Sequence, residues 1–271
     1  MIKNFTLGQY YNSGSVIHKM DPRFKLVEII GLIVLVFLAP DFWGLGVIAV
    51  TTFAILFLSK VPISMYLRNL KPIIAIIILT ALLNIFYVNE GNILVSWWIF
   101  TITDAGILKA CFMASRIVLM IIISSVLSYT TTPTELTDAI ESLLSPLKFI
   151  GLGEAVHTLA MMMTIALRFI PTLTDETDKI MSAQKARGAD TENGGLLKRI
   201  KALMPILIPL LFSSVRRAYE LAEAMDCRCY SGGKGRTRMK KLSPSIRDFI
   251  AVIFTFLIFS VFIILRIFYG G

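Results

Sequence analysis

Two arginines stand at matched positions near the ends of two long segments of the chain. Arg187 lies in Ala186-Arg187-Gly188, and Arg228 lies in Cys227-Arg228-Cys229. In each copy an alanine precedes the arginine by four residues and a small residue follows it. A guanidinium carries five N–H donors in a planar fork that suits carboxylates and carbonyl oxygens. The chemistry that these two triplets offer is therefore recognition of a groove on another protein.

Both arginines continue an apolar row of their segment. Residues seven apart share one helix face, and the rows are Leu159, Ala166, Leu173 and Ile180 before Arg187, and Leu207, Ser214 and Leu221 before Arg228. A simpler explanation is that each cation complements its helix dipole, worth about 0.3–1 kcal/mol, with Gly188 ending the first helix. We favour docking on a partner, because the same ending occurs twice and in phase with both apolar rows.

A third arginine and a group of methionines also require an explanation. Arg116 lies in the middle of a long apolar segment, where a charge is a functional candidate. It either contacts a partner region or pairs inside the protein, and Glu28 is one possible partner. Met161, Met162 and Met163, with Met181, Met204 and Met225, either form an adaptable partner surface or fill a core.

Catalytic and metal-binding patterns are absent from the sequence. There is no H-E-x-x-H and no nucleophile elbow, and Gly232–Thr237 lacks the spacing of a phosphate-binding loop. Cys227 and Cys229 resemble half a metal site, but the chain has only two histidines to complete it. We therefore expect a protein that is not an enzyme and holds no metal or cofactor.

Composition indicates an integral membrane protein. Of 271 residues 56% are hydrophobic and 17% charged, and the mean hydropathy is +0.74. Soluble domains average about 25% charged residues. The net charge of +9 fits basic cytoplasmic loops rather than nucleic-acid binding. Met1–Asp21 is polar, so we expect no cleavable signal peptide.

Five apolar runs predict membrane spans. They are Leu26–Ala39, which follows the helix start Asp21-Pro22, and then Trp43–Leu58, Ile73–Tyr87, Gly106–Tyr129 and Phe249–Phe268. Between the third and fourth runs, Trp97 and Trp98 suggest an interfacial belt. Ser59–Lys71 is interpreted as a basic loop.

Basic residues near the N-terminus and in Ser59–Lys71 predict a cytoplasmic N-terminus and an external C-terminus. Residues 130–248 then form a cytoplasmic domain, inserted between a four-span region (1–129) and the last span (249–271). The fold class is all-α: a polytopic membrane protein with about five transmembrane helices and a cytoplasmic three-helix domain inserted before the last span.

The insert reads as three helices. Thr132-Pro133-Thr134-Glu135 is a capping-box start for the first, which runs to about Leu144. Gly151-Leu152-Gly153 is a hinge into a helix from about Ala155 to Arg187. After a polar turn at Asp190–Gly195 the third helix runs from Leu197 to Arg228, and Ser231–Gly235 is a flexible basic connector.

A rival topology makes Ala155–Leu173 a span. That segment contains His157, Arg168 and Pro171, and a central arginine costs several kcal/mol in lipid. We therefore place both long helices at the cytoplasmic face.

The chain resembles the transmembrane T component of energy-coupling factor transporters over nearly its whole length. The resemblance is carried, in order, by Asp21–Lys25, Thr131–Leu136, Leu167–Leu173, Ala183–Gly188 and Arg217–Met225. The paired X-Arg-X signatures of that family correspond to Ala186-Arg187-Gly188 and Cys227-Arg228-Cys229. The second departs from the more common Arg-Gly ending, which leaves its local helix end open.

The resemblance implies a mechanism and partners. Two cytoplasmic ABC-type ATPases bind and hydrolyse ATP, and the two arginine ends dock on them. The long helices then pass the motion to a separate substrate-binding membrane subunit that releases a vitamin or metal ion inside the cell. Two other functions are alternatives from the residues alone. A self-sufficient secondary transporter should carry charged residues on its midplane helices, and only Arg116 is a clear candidate, which weighs against it. A membrane-embedded enzyme is disfavoured because the predicted spans lack paired histidines or carboxylates.

Overall fold

A computed structural model describes residues 10–87, 92–97, 100–188, 195–232 and 243–269. The chain divides into two compact units. We call Gly8–Leu136 with Lys240–Gly271 the bundle unit, and Thr137–Met239 the hairpin unit.

The described elements are α-helices apart from one short β-hairpin and two 3-10 turns (Lys71–Ile73 and Ser145–Ile150). In chain order they are α1 (Pro22–Leu38), α2 (Phe42–Ser59), α3 (Ile63–Leu70), α4 (Ile74–Tyr87), β1 (Ile93–Trp97), β2 (Phe100–Thr103), α5 (Asp104–Thr130), α6 (Pro133–Leu143), α7 (Gly153–Ala186), α8 (Leu196–Asp226) and α9 (Ile246–Tyr269). The all-α class predicted from the sequence is confirmed.

Two predicted helix starts are present in full. Asp21 Oδ1 accepts from the backbone N–H of Arg23 at 3.0 Å, with Pro22 as the first residue of α1. At α6 the Thr132 hydroxyl accepts from the Glu135 N–H at 3.3 Å, and a Glu135 carboxylate oxygen accepts from the Thr132 N–H at 3.3 Å. Local sequence therefore determines where these helices begin.

The bundle unit is organised around α5, which packs against α1, α2, α3 and α4. Its core consists of apolar side chains from α1, α2, α5 and α9, among them Leu35, Val36, Ile48, Ile123 and Phe262. Tyr129 of α5 is fully buried, stacks edge-on against Tyr66 at 5.1 Å, and donates its hydroxyl to the Met65 carbonyl at 3.0 Å. These contacts fix α3 against the central helix.

The prediction of a loop over Ser59–Lys71 is wrong, because the segment contains α3. Eight residues are too few for a stable isolated helix, so α3 depends on its continuation through Lys71–Ile73 into α4 and on packing. Burial of Tyr66 against Tyr129 is that packing, and it draws on a residue far away in the sequence.

The β-hairpin was also missed. β1 and β2 pair antiparallel, with Ile93 opposite Thr103 and Trp97 opposite Phe100. The β-branched and aromatic residues of both strands favour this pairing. The proposed interfacial role of Trp97 and Trp98 lies outside the described side chains.

Five described helices are long and apolar enough to cross a membrane. They are Phe42–Ser59, Ile63–Tyr87, Asp104–Thr130, Gly153–Ala186 and Ile246–Ile263. The number equals the predicted five, but the members differ: α7 is included, and α1, with 17 residues, is not. At 1.5 Å per residue α1 is about 26 Å long, slightly short of a ~30 Å hydrocarbon core.

The hairpin unit contains α7 and α8, close to their predicted lengths. Gly151, at the predicted hinge, has φ +84, a conformation that glycine adopts without strain. The predicted polar turn at Asp190–Gly195 and the connector at Ser231–Gly235 lie largely outside the described residues.

Candidate docking ends of the long helix pair

Helices α7 and α8 pack as an antiparallel pair. The Gln184 side chain donates to the Pro205 carbonyl at 3.3 Å, and the Ser213 hydroxyl donates to Glu176 at 2.6 Å. At the other end the Tyr230 hydroxyl lies 3.0 Å from the Met161 sulfur. Late residues of α7 thus meet early residues of α8, and early residues of α7 meet the end of α8.

This packing places the two candidate arginines at opposite ends of the pair. Arg187 ends α7 beside the start of α8, whereas Arg228 ends α8 level with Met161–Met163. The part of α7 between residues 161 and 187 is about 40 Å long at 1.5 Å per residue. The structure therefore separates the two arginine triplets rather than joining them in one site.

The first triplet forms a left-handed helix end. The Arg187 N–H donates to the Ala183 and Gln184 carbonyls at 3.2 and 3.1 Å. Gly188 has φ +85, and its N–H donates to the Lys185 carbonyl at 3.0 Å. This is the glycine-terminated end that the simpler explanation of the triplet required.

The second triplet forms the same end without a glycine. Cys229 has φ +54 and donates its N–H to the Asp226 carbonyl at 2.9 Å, while the Tyr230 N–H donates to the Met225 carbonyl at 3.1 Å. The pair of bonds is a Schellman motif. The open question of how α8 ends at Cys227-Arg228-Cys229 is thereby answered.

In both triplets the arginine directly precedes the left-handed residue. Arg187 stands before Gly188 and Arg228 before Cys229, so the two guanidinium stems leave equivalent points of their helix ends. A non-glycine residue in the left-handed region costs about 1–2 kcal/mol. The chain thus keeps the same geometry at α8 despite a conformational cost.

All six triplet residues, Ala186, Arg187, Gly188, Cys227, Arg228 and Cys229, are exposed. Within the described residues neither guanidinium has an ion-pair partner. The rows that lead to them are unevenly covered: Leu173, Ile180, Ser214 and Leu221 are partly buried, whereas Leu159 and Leu207 are exposed. Each row is therefore shared between packing inside the hairpin unit and free surface.

Exposed methionines accompany each arginine. The register of the pair sets Met204 of α8 near the Arg187 end, and Met162 and Met163 of α7 near the Arg228 end. All three side chains are about half exposed. Met161, by contrast, receives the Tyr230 hydroxyl inside the pair. The methionines are thus divided between a contact inside the pair and exposed surface.

A polar clamp holds the middle of the pair. The Glu176 carboxylate accepts from Ser213 at 2.6 Å and forms an ion pair with Arg217. The side chains are partly exposed, so solvent screens the ion pair. The sequence does not reveal this contact, because an acid on one helix and a base on the next leave the register of the two helices undefined.

A second polar contact fixes the Arg187 end. In a helix the Pro205 carbonyl would accept from the N–H of residue 209, but residue 209 is proline and has no N–H. The Gln184 amide donates to that free carbonyl, three residues before Arg187. The spacing of Pro205 and Pro209 in the sequence indicates that the Pro205 carbonyl lacks its usual helical donor. It does not identify the residue that replaces that donor.

Arg116 pairs inside the bundle unit. Its Nη2 donates to the Ala39 carbonyl at 2.5 Å, and its guanidinium lies 4.6 Å from the centre of the Phe112 ring. Ala39 is the C-cap of α1, so the cation meets the negative end of that helix. Glu28 is not its partner.

The remaining candidate groups show no ligand-binding arrangement in the described part of the chain. Cys111, Cys227 and Cys229 are free and exposed. Among the described residues no three His, Cys, Asp or Glu side chains converge on a point where a metal could bind.

Comparison with known proteins gives a consistent result. Residues 13–239 match the family model CbiQ, described as cobalt transport protein. A Clostridium kluyveri protein is 50% identical over 271 residues, which is all of both chains. A Lactococcus lactis protein is 43% identical over 264 residues, 97% of this chain and 98% of the relative. A Bacillus subtilis protein is 43% identical over 248 residues, 92% and 93% of the two chains.

All three relatives are named energy-coupling factor transporter transmembrane protein EcfT. That name describes a non-catalytic transmembrane component, in agreement with five long apolar helices and with a sequence lacking catalytic motifs. The chain is therefore a multi-pass membrane protein that belongs to the CbiQ/EcfT family of energy-coupling transmembrane components.

Proposed function

We propose that this chain transmits the ATP-driven motion of two cytoplasmic ABC-type ATPases to a separate substrate-binding membrane subunit, for uptake of a vitamin or metal ion. Arg187 and Arg228 are the contacts with the ATPases, one arginine for each. The exposed methionines beside each arginine complete the two docking surfaces.

The observation that carries this proposal is the equivalence of the two triplets. Two exposed guanidiniums each precede a residue of left-handed conformation at a helix end, about 40 Å apart along one antiparallel pair. A single ligand site would bring the arginines together. Two similar surfaces at opposite ends of the α7–α8 pair suit two similar partners, because each partner can move one end of that helix pair.

We further propose that α1 crosses the membrane while α7 and α8 lie at its cytoplasmic face, with the N-terminus inside and the C-terminus outside. Support comes from Arg168, which is exposed on the apolar part of α7 and would cost about 2.5–3.5 kcal/mol in the bilayer centre. α1, in contrast, contributes Leu32, Leu35 and Val36 to the core of the bundle unit.

The docking role is tested by replacing Arg187 and Arg228 together with glutamate. We expect the ATPases to be lost when the complex is purified by a tag on this chain, because the charge reversal removes both of the proposed interface anchors. Each single substitution should weaken assembly less than the pair. Arg216→Glu, at an exposed position within α8, is the matched control and should leave assembly intact.

Full assembly and transport by the double variant would contradict the docking role. Substrate uptake by this chain alone in liposomes would instead support a secondary transporter. The orientation is tested with a membrane-impermeant maleimide on cells that make this chain without the ATPases. Cys227 and Cys229 should react in inside-out vesicles and be protected in intact cells. Reaction of both from outside would contradict the proposed topology.

A further inference from the structure

The bundle unit contains a cavity of about 410 Å³ bordered by α1, α2, α5 and α9. Its walls are almost wholly apolar, with Leu32 from α1, Ile55 from α2, Val126 from α5 and Phe254 from α9. The volume is in the range of small-ligand sites. Neither the docking role nor the family assignment uses this cavity.

The cavity opens between apolar side chains. Leu58, Ile250 and Phe254 line it and are each more than half exposed on the outer surface of the unit. An opening onto water would be expected to carry polar residues. These three residues are apolar and lie on helices that are long and apolar enough to cross a membrane. A ligand would therefore enter from the bilayer.

One end of the cavity is charged. Lys25, Glu28 and Arg247 are its ionisable lining residues. Lys25 is already engaged, because its ammonium donates to the Thr130 carbonyl at 3.1 Å and the His18 carbonyl at 3.4 Å. It therefore offers little to a ligand.

Unlike Lys25, Glu28 and Arg247 have polar groups that can bind a ligand in the cavity. The Glu28 Oε1 atom is buried and has no hydrogen-bond partner among the described residues, which is costly for a carboxylate. Nearby Asp248 cannot relieve it, since that carboxylate is also an acceptor and already binds the N–H groups of Asp21 and Ser245 at 2.9 and 2.6 Å. Arg247 is exposed at the same end of the cavity.

We propose that this cavity binds a phospholipid whose acyl chain fills the apolar part, whose headgroup ammonium pairs with Glu28, and whose phosphate pairs with Arg247. An ammonium supplies the N–H donors that Glu28 lacks, and a guanidinium suits a phosphate. Phosphatidylethanolamine has this chemistry. Phosphatidylglycerol has the phosphate but no ammonium. The bound lipid would tie α1 and α9 together from within the bundle unit.

The first experiment uses the full chain without substitutions. It is purified from vesicles with equal amounts of phosphatidylethanolamine and phosphatidylglycerol, and retained lipid is counted by native mass spectrometry. We expect one phosphatidylethanolamine per chain. Glu28→Gln should lower its retention relative to phosphatidylglycerol about tenfold, because a charge-assisted hydrogen bond is lost.

Two variants fill the cavity from different walls: Ala251→Phe on α9 and Ala54→Phe on α2. Each that remains folded by size-exclusion chromatography should lose the retained lipid. Ala75→Phe makes the same change at an exposed position of α4 outside the cavity, and should retain it.

Equal retention of the two lipids by the unsubstituted chain would overturn the headgroup assignment. Unchanged retention by the cavity-filling variants would overturn the site. Neither result depends on Arg187 or Arg228, so failure of the docking proposal and failure of the lipid proposal are distinguishable.

Discussion

The bundle unit and the hairpin unit are stabilised in different ways. In the bundle unit a continuous apolar cluster joins α1, α2, α5 and α9, and its fully buried side chains include Tyr129, Leu35, Ile48 and Ile123. In the described part of the hairpin unit the buried apolar residues are small or few: Ala139, Val156, Ala160 and Ile206. Contacts at three separate levels, centred on Met161, Glu176 and Gln184, supply specificity there.

The difference in packing predicts that the bundle unit stays rigid, whereas parts of the hairpin unit can open locally. A continuous core is lost or kept as a whole, whereas a pair held at separate levels can open at one end while remaining closed at another. Under the proposed function, each arginine end could respond to its own ATPase. Substitutions in the two units test this contrast.

Leu35→Ala in the core should lower the free energy of unfolding by about 2–5 kcal/mol. Leu35 is only 1% exposed, so its truncation leaves a cavity. Leu211→Ala in α8 removes the same atoms where 64% is exposed, and should cost less than about 0.5 kcal/mol. Equilibrium unfolding in mixed micelles measures both. Similar losses for the two variants would mean that the units do not differ in packing.

Asp248→Ala should lower the free energy of unfolding by about 1–3 kcal/mol, because the buried N–H of Asp21 and the partly buried N–H of Ser245 lose their acceptor. Asp248→Asn keeps one acceptor oxygen and should cost less. The same unfolding assay compares them. If alanine and asparagine are equivalent, the two hydrogen bonds do not hold the starts of α1 and α9.

Cys229→Gly should stabilise the end of α8 by about 1 kcal/mol, because glycine adopts the left-handed conformation without strain. Gly188→Ala should destabilise the end of α7 by a similar amount. Amide hydrogen exchange at Cys227–Tyr230 and at Ala186–Gly188 reports each effect locally. The same sign of change at both ends would refute the equivalence of the triplets.

Gln184→Ala should loosen the Arg187 end by about 0.5 kcal/mol, since it removes the donor to the Pro205 carbonyl. Pro209→Ala restores an N–H that can serve that carbonyl within α8. In that background Gln184→Ala should have no further effect on exchange near residue 187. An equal effect in both backgrounds would show that Gln184 acts in another way.

Much of this architecture could be predicted because its signals are local. Apolar runs gave the long helices, and Asp21 and Thr132 gave two helix starts, since caps act within three residues. Helix α3 could not be predicted in this way. Its stability depends on the contact between Tyr66 and Tyr129. Because Tyr129 is distant in the sequence, the residues of Ser59–Lys71 do not predict that contact.

The candidate site likewise contains some residues that the sequence predicts and others that only the structure identifies. Sequence alone selected Ala186-Arg187-Gly188 and Cys227-Arg228-Cys229, because the repeated spacing and helix phase are properties of the chain itself. It could not assign Glu176, Gln184, Ser213 or Arg217, since the pairing of two helices depends on register. It also proposed Glu28 for Arg116, whereas the guanidinium meets the Ala39 carbonyl.

The sequence by itself determined that this is a membrane protein with two arginine-tipped helices, because hydropathy and helical phase are local quantities. Tertiary structure alone decided that the helices run antiparallel and that the arginines lie at opposite ends of the pair. Packing within the bundle unit likewise left the Glu28 Oε1 atom without a hydrogen-bond partner among the described residues, beside an apolar cavity. Such facts depend on contacts between residues distant in the chain, and those contacts exist only after packing has set the register.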